Sequence, residues 1–238
     1  MESHKWTDNK SDYAPVCFKV IGIGSDMTDI IRAAKKYGYN GVDFLIAESP
    51  ADCIPTDNDK MAIIVASENY TTANDVARNY HDAGILTIGL VCNADPKCYN
   101  CIAKGVSNKD VPDIIKSLLL PIVTDGYFTF DFFNLRTIFQ DDCFFKILYV
   151  ERADVRQAVA GIKEAMKKYE MSVVEHISVH LFFNRKKENS TNLKEISEMF
   201  TIQQVLPESV KIITSINIDD TLPEDRVRLT TIISGKHL

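Results

Sequence analysis

Gly22 and Gly24, in "KVIGIGSDMTDIIRAAKKYG", turn an apolar run into a helical pattern. A glycine turn opening a helix lets backbone N–H groups and the helix N-terminus hold a phosphate. Ser25, Asp26 and Met27 follow where such a loop continues with glycine, and Asp29 adds a further acid. A carboxylate there takes up the same dipole and N–H groups as a phosphate and repels it, so Asp26 and Asp29 are expected as helix caps. A second candidate is the trio Cys92, Cys98 and Cys101 in "CNADPKCYNC". Thiolates at that spacing can reach one tetrahedral zinc, but no fourth ligand is evident and His81 is the only histidine in the neighbourhood. Loop thiols without metal are therefore expected, with the trio as the alternative. His176 and His180 fall on one side of a strand pattern about 13 Å apart, too far to share a metal, and are expected on a partly exposed sheet face. Asp219, Asp220, Glu224 and Asp225 lack calcium-loop spacing and are expected at a solvated hairpin tip.

The elements that must position these residues alternate through the first half of the chain. "CFKVIGIG", "GVDFLIAE", "KMAIIVAS" and "ILTIGLVC" are apolar runs of strand length. Between them, "TDIIRAAKKYG" and "TANDVARNYHDAG" have helical spacing and end at Gly38 and Gly84. Strands buried on both faces and separated by helices predict a parallel, Rossmann-like α/β sheet over residues 16–125. A helix in "KDVPDIIKSLLLPIVTDG" leads to a turn at Asp125-Gly126, beyond which residues 126–238 read as an α+β half. Its strands are "CFFKILYVE", "MSVVEHISVHLFF", "VKIITSINI" and "DRVRLTTIISG", the last two joined by "DDTLPE". Its helices are "DVRQAVAGIKEAMKKYE" and "NLKEISEMF", the second with capping-box spacing at Asn192 and Glu195.

At 238 residues and 45% hydrophobic side chains the chain can bury a substantial core as one large domain or two small ones. A net charge of −6 without a basic stripe argues against nucleic acid and anionic membrane surfaces. Residues 1–15 are polar with no apolar leader, which predicts a flexible arm on a cytoplasmic protein. Six cysteines without a leader read as reduced thiols.

The order and wording of these pieces resemble the FtsZ family of bacterial cell-division proteins, the prokaryotic relatives of tubulin. "KVIGIGSDMTDIIRAAKKYGYNGVDFLIAESPAD" is similar to the family's first strand, glycine loop, helix and second strand. "MAIIVASENYTTANDVARNYHDAGILTIGLVC" is similar to the strand, signature loop, helix and strand that follow. "GYFTFDFFNLRTIF" resembles the loop used for catalysis across the subunit contact, and "KIITSINIDDTLPEDRVRLTTIISG" the closing hairpin. The resemblance runs from about residue 17 to 235 and implies a two-part fold joined by a central helix, here short.

Set against that family, the chain looks truncated and degenerate. By resemblance the nucleotide cleft falls on Gly22, Gly24, Ser25, Asp29, Thr71 and Thr72, yet "SENYTTAND" has no glycine and adds Glu68. Without glycines the backbone cannot readily turn its amides inward as an anion nest. Thr71 and Thr72 are expected to cap a helix beginning near Ala73. The family's catalytic asparagine and two acids match Thr129, Asp131 and Asn134, leaving Asp131 as the one acid. Hydrolysis needs oriented water and offset charge, so these losses predict a non-catalytic assembly or interaction module. No cofactor is expected. Phe132 and Phe133, with Asn134, are expected on a contact surface for a second copy or an FtsZ-family protein. The family's membrane-docking tail has no counterpart after "SGKHL", so no direct membrane anchor is expected. One alternative is a divergent GTPase binding GTP or GDP with Mg²⁺; another is a small-molecule sensor using the vacated cleft at the strand ends.

Overall fold

The computed structural model describes residues 17–124, 126–128, 130–140, 142–186 and 193–238. The amino-terminal arm, Asp125, Thr129 and Asn192, on which several expectations fell, lie outside the described residues.

The apolar runs of the first half form β1 (Cys17–Ile23), β2 (Val42–Ala47), β3 (Asp59–Ala66), β4 (Leu86–Val91) and the short β5 (Cys101–Ala103), with helices α1 (Thr28–Lys35) and α2 (Tyr70–Asp82) between them. Helix α3 (Val111–Val123) follows, then β6 (Gly126–Phe128), α4 (Phe132–Ile138), β7 (Cys143–Arg152), α5 (Val155–Met166) and β8 (His176–Phe183). A short α6 (Leu193–Ser197) continues as a 3-10 helix to Val205, before β9 (Lys211–Ile218) and β10 (Val227–Gly235). No helix of the described residues is long and apolar enough to cross a membrane.

All ten strands join one sheet in the order β2-β1-β3-β4-β5-β7-β10-β8-β9-β6. It is parallel from β2 through β7, and β8 also runs parallel to β9. Strand β10 pairs antiparallel with β7 and β8, and β6 antiparallel with β9. The mixed, mostly parallel α/β sheet agrees with the expected fold class, and the β5–β7 pairing carries it unbroken across residue 125. The closing hairpin does not form: β8 lies between β9 and β10, so "DDTLPE" crosses over a strand instead of turning back on its neighbour.

Successive side chains of a strand point to opposite faces, and the core divides accordingly. Val20 and Ile63 meet Ile31 of α1, Leu118 of α3 and Leu135 of α4. Ile21 and Ile64 on the opposite side meet Val76 and Tyr80 of α2, and farther along that side Val179 and Leu229 meet Val159 and Ile162 of α5.

Two polar assemblies correct the sequence expectations. His176 and His180 are buried, and Phe130 and α4 lie against the strand β8 that carries them. His180 Nδ1 stands 2.8 Å from Ser215 Oγ and its Nε2 2.8 Å from Ser178 Oγ, with the Phe130 ring edge-on at 4.5 Å. A neutral imidazole has one donor and one acceptor nitrogen, so the two serines take opposite roles. Asp219 is likewise buried, not at a solvated tip: its Oδ2 lies 3.3 Å from Lys116 Nζ of α3, itself buried, while Oδ1 accepts from the Thr221 backbone N–H.

Candidate functional site

Strand order reverses around β1, with β2 on one side and β3 on the other, so the topological switch point is the crevice beyond the carboxyl ends of β1 and β3. Gly22 and Gly24 sit there, and the surroundings of each say what it is for. A Cβ on Gly22 would lie 2.7 Å from Ile31 Cγ1 and 2.8 Å from Met27 Cβ, so this glycine lets α1 pack close on β1. Gly24 has φ +93°, a conformation reserved for glycine. Above it, a Cβ would meet Asp26 Oδ1 at 2.5 Å and Asn69 Nδ2 at 3.0 Å. The chain's own side chains thus occupy the space beside the glycine turn.

Asp26 does not cap a helix. Its Oδ2 accepts a hydrogen bond from Ser67 Oγ, and Tyr70 Oη donates to the Ser67 carbonyl, so the loop after β1 is fastened to the loop after β3. Asp29 does not cap either; it pairs with Arg32 at 2.7 Å, both side chains open to solvent. Ser25 is exposed in a single 3-10 turn, Ser25–Met27, between Gly24 and α1. Helix α2 begins at Tyr70, three residues before the expected start, so Thr71 and Thr72 are inside its first turn and do not precede it. Asn69, in the left-handed region at φ 52°, makes the turn into α2 without a side-chain cap bond.

Sequence reasoning passed over Ser67 and Asn69. Register held the signal: Gly22 pairs with Val65 in parallel strands, so the chain leaves β1 at Gly24 beside the point where it leaves β3 at Ser67. An acid just after one exit finds a hydroxyl at the other.

Phe18 and Lys60 are each the second residue of their strands, β1 and β3, so the amino ends of these strands lie on the far side from Gly24. Of the positions matched to the catalytic loop by resemblance, Asp131 and Asn134 are there. Residues 132–138 are the helix α4, and Asp131 and Asn134 are brought together as its capping box. Asp131 Oδ1 accepts from the Asn134 backbone N–H at 2.9 Å, and Asn134 Oδ1 accepts from the Asp131 N–H at 3.0 Å. Both groups thereby satisfy helix-end donors that would otherwise have none. Phe132 packs on Phe18 with ring centroids 5.8 Å apart, whereas Phe133 is 74% exposed. Between α4 and the end of α3 lies a groove of 710 Å³ whose walls include Phe18, Pro121, Phe132 and Phe133, with Lys60 and Arg136 among its charged groups. Within one chain, Asp131 and Gly24 stand at opposite ends of the sheet.

The cysteines do not converge. Cys98 is buried and its Sγ accepts from Arg78 Nη2 at 3.4 Å; burial pushes its thiol pKa up, against the pull of that guanidinium. Cys101 lies in β5 directly beside Cys143 of β7, and burial together with that neighbour raises its pKa well above the ordinary thiol value. Cys92 is exposed. Among the described residues no three or more His, Cys, Asp and Glu side chains are grouped to hold a metal ion.

No protein-family model matches the chain, and no curated protein is significantly similar in sequence. Solved structures are similar in fold. An empty FtsZ dimer from M. jannaschii superposes with a TM-score of 0.73 at 16% identity, covering 93% of this chain and 89% of that one. A W319Y mutant of the same FtsZ gives 0.71 at 15% identity, covering 92% and 91%. TubZ of Bacillus thuringiensis serovar israelensis, in GDP-form protofilaments, gives 0.61 at 11% identity over 93% and 88%. The chain has an FtsZ/tubulin-like fold.

Proposed function

We propose that this chain is an FtsZ/tubulin-like assembly module that does not turn over nucleotide. The observation that carries this reading is Asp26, whose carboxylate lies over Gly24 and is bonded to Ser67 across the switch-point crevice. A phosphate at that turn would have to displace an anion that already has a partner, and would meet its charge if it did not. At the other end of the sheet, Asp131 is the one acid in the matching positions, and its carboxylate is engaged as a helix cap with Asn134.

The partner is a second copy of the chain or an FtsZ-type subunit. Fold neighbours have been solved as a dimer and as protofilaments. The exposed Phe133 and the groove between α3 and α4 supply an apolar face for that contact. Where that face meets the unlike end of the next copy and the rotation does not close a ring, the contact builds a file of subunits.

Equilibrium binding of GTP and GDP to nucleotide-free protein, with and without Mg²⁺, tests the first half of this reading. No binding at millimolar nucleotide is expected. Micromolar affinity abolished by Gly24→Ala would instead establish the divergent GTPase. Sedimentation velocity tests the second half: the chain should associate with rising concentration, and Phe133→Asp should return it to monomer without altering its circular dichroism, since that ring is 74% exposed. Association indifferent to Phe133→Asp would remove this face from the argument.

A further inference from the structure

The crevice between β1 and β3 is bridged, but the carboxyl ends of the next strands are open. A separate cavity of 390 Å³ lies there, over Ala66 of β3, Leu90 and Val91 of β4 and Ala103 of β5, with Val111 of α3 and Phe144 of β7 also in its wall. Its volume is at the lower end of the range for small-molecule pockets, which are apolar with few polar groups. Lys104 is the one Lys, Arg, Asp or Glu among its lining residues; Cys92 and Asn108 are among the polar remainder.

Lys104 is exposed, and an aromatic ring of the cavity orients its ammonium group. Its Nζ sits 3.6 Å from the centroid of the Phe144 ring, a cation–π contact, and its backbone N–H donates to the Phe145 carbonyl at 3.0 Å. Among the described residues no carboxylate is within ion-pair distance of it. The acids nearest in sequence are already engaged: Asp110 accepts from Ser107 Oγ, and Asp95 from the Lys97 backbone N–H. A cation fixed on an aromatic wall of an apolar cavity selects a ligand with an apolar body and one anionic end.

We propose that this cavity is a binding site for a small organic acid, its carboxylate on Lys104 and its hydrocarbon or aromatic part against Leu90, Ile102, Val106 and Phe144. The site is independent of nucleotide and of the contact surface at α4. A charge-assisted hydrogen bond is about twice as strong as a neutral one, so acid and alcohol of one shape should separate by about fivefold in affinity.

Amide chemical shifts on titration with phenylbutyrate and with phenylbutanol test this. The acid should perturb Leu90, Ile102 and Val106 and bind more tightly than the alcohol. Lys104→Gln should bring the acid down to the alcohol's affinity, and Cys92→Trp, at an exposed lining position, should weaken both. Equal affinities in the parent protein, an unchanged preference in Lys104→Gln, perturbations confined to another part of the chain, or no perturbation at millimolar acid would each overturn the proposal.

Discussion

Lys19→Met should lower the unfolding free energy by about 3–5 kcal/mol, the cost of leaving a buried charge without its partner. Lys19 points from β1 to Asp59 at the head of β3, with Nζ 2.7 Å from Oδ2 and side-chain exposures of 11% and 1%. Burial alone would raise the Asp59 pKa, but the hydrogen bonds from Lys19 and Thr56 and the lysine charge overcome it and hold the carboxylate below its ordinary range. For Lys19 the order is the same: burial lowers its pKa, and the bond to Asp59 with the neighbouring Tyr80 more than restores it. Asp59 Oδ2 also accepts from the Thr56 N–H at 2.8 Å, so the carboxylate orders the turn into β3 as well as the β1–β3 pair. Methionine keeps the aliphatic stem and removes only the charge, leaving Asp59 ionised in the sheet. The double variant Lys19→Met/Asp59→Leu should recover most of the loss, since an apolar pair of similar volume replaces a buried ion pair at little cost. Urea unfolding of the three proteins checks this. A double variant no more stable than Lys19→Met would mean that packing around the lysine stem, and not an orphaned carboxylate, sets the penalty.

The parallel half was legible because its strands inside the edge strand β2 are buried on both faces and therefore read as unbroken apolar runs; β4, "LTIGLV", is buried at every position. The helical spacing of Val155, Val159, Ile162 and Met166 likewise puts one face of α5 on the sheet. Pairing over long separations was not legible. "DDTLPE" has the composition of a hairpin turn, yet nothing local reveals that β8 fills the space between the two strands it joins. Asp219 looks solvated beside Asp220 until Lys116, from a helix far earlier in the chain, arrives within 3.3 Å. At the candidate site the glycines were legible as a turn, but their purpose was not. Gly22 answers to the side chains of Ile31 and Met27, and Gly24 to Asp26 and Asn69, contacts that exist only once α1 and the loop after β3 are in place. The resemblance pointed to the right fold at 16% identity because it followed the order of elements, whereas each cleft position depends on what a neighbouring loop supplies.

Acid should destabilise the protein through His180 before its carboxylates are extensively protonated. Burial among uncharged groups pushes this imidazole from an ordinary 6.5 down to about 3. The folded chain therefore holds it neutral while the unfolded chain binds a proton, so stability from this group is full above the unfolded value and falls as pH drops below it. At about 1.4 kcal/mol per pH unit, the loss between about pH 6.5 and pH 4 is about 3 kcal/mol. His176 acts in the same direction, because burial and then Lys211 lower its pKa while Glu175 opposes them. The measurement is urea unfolding across that interval for the parent and for His180→Gln, comparing slopes with pH and not absolute stabilities. The parent should lose about 3 kcal/mol more than the variant. Parallel pH profiles would mean that the imidazole already reaches water when folded, and that the covering by Phe130 and α4 opens readily. Steeper loss in the parent would mean that the cover stays shut while the chain is folded. Ser178, Ser215 and Phe130 surround this imidazole with partners that hold a neutral ring and offer no counter-charge for a protonated one. Phe130, which precedes the helix that carries the exposed Phe133, packs on a group whose neutrality depends on pH, so acid should loosen the contact face together with the fold.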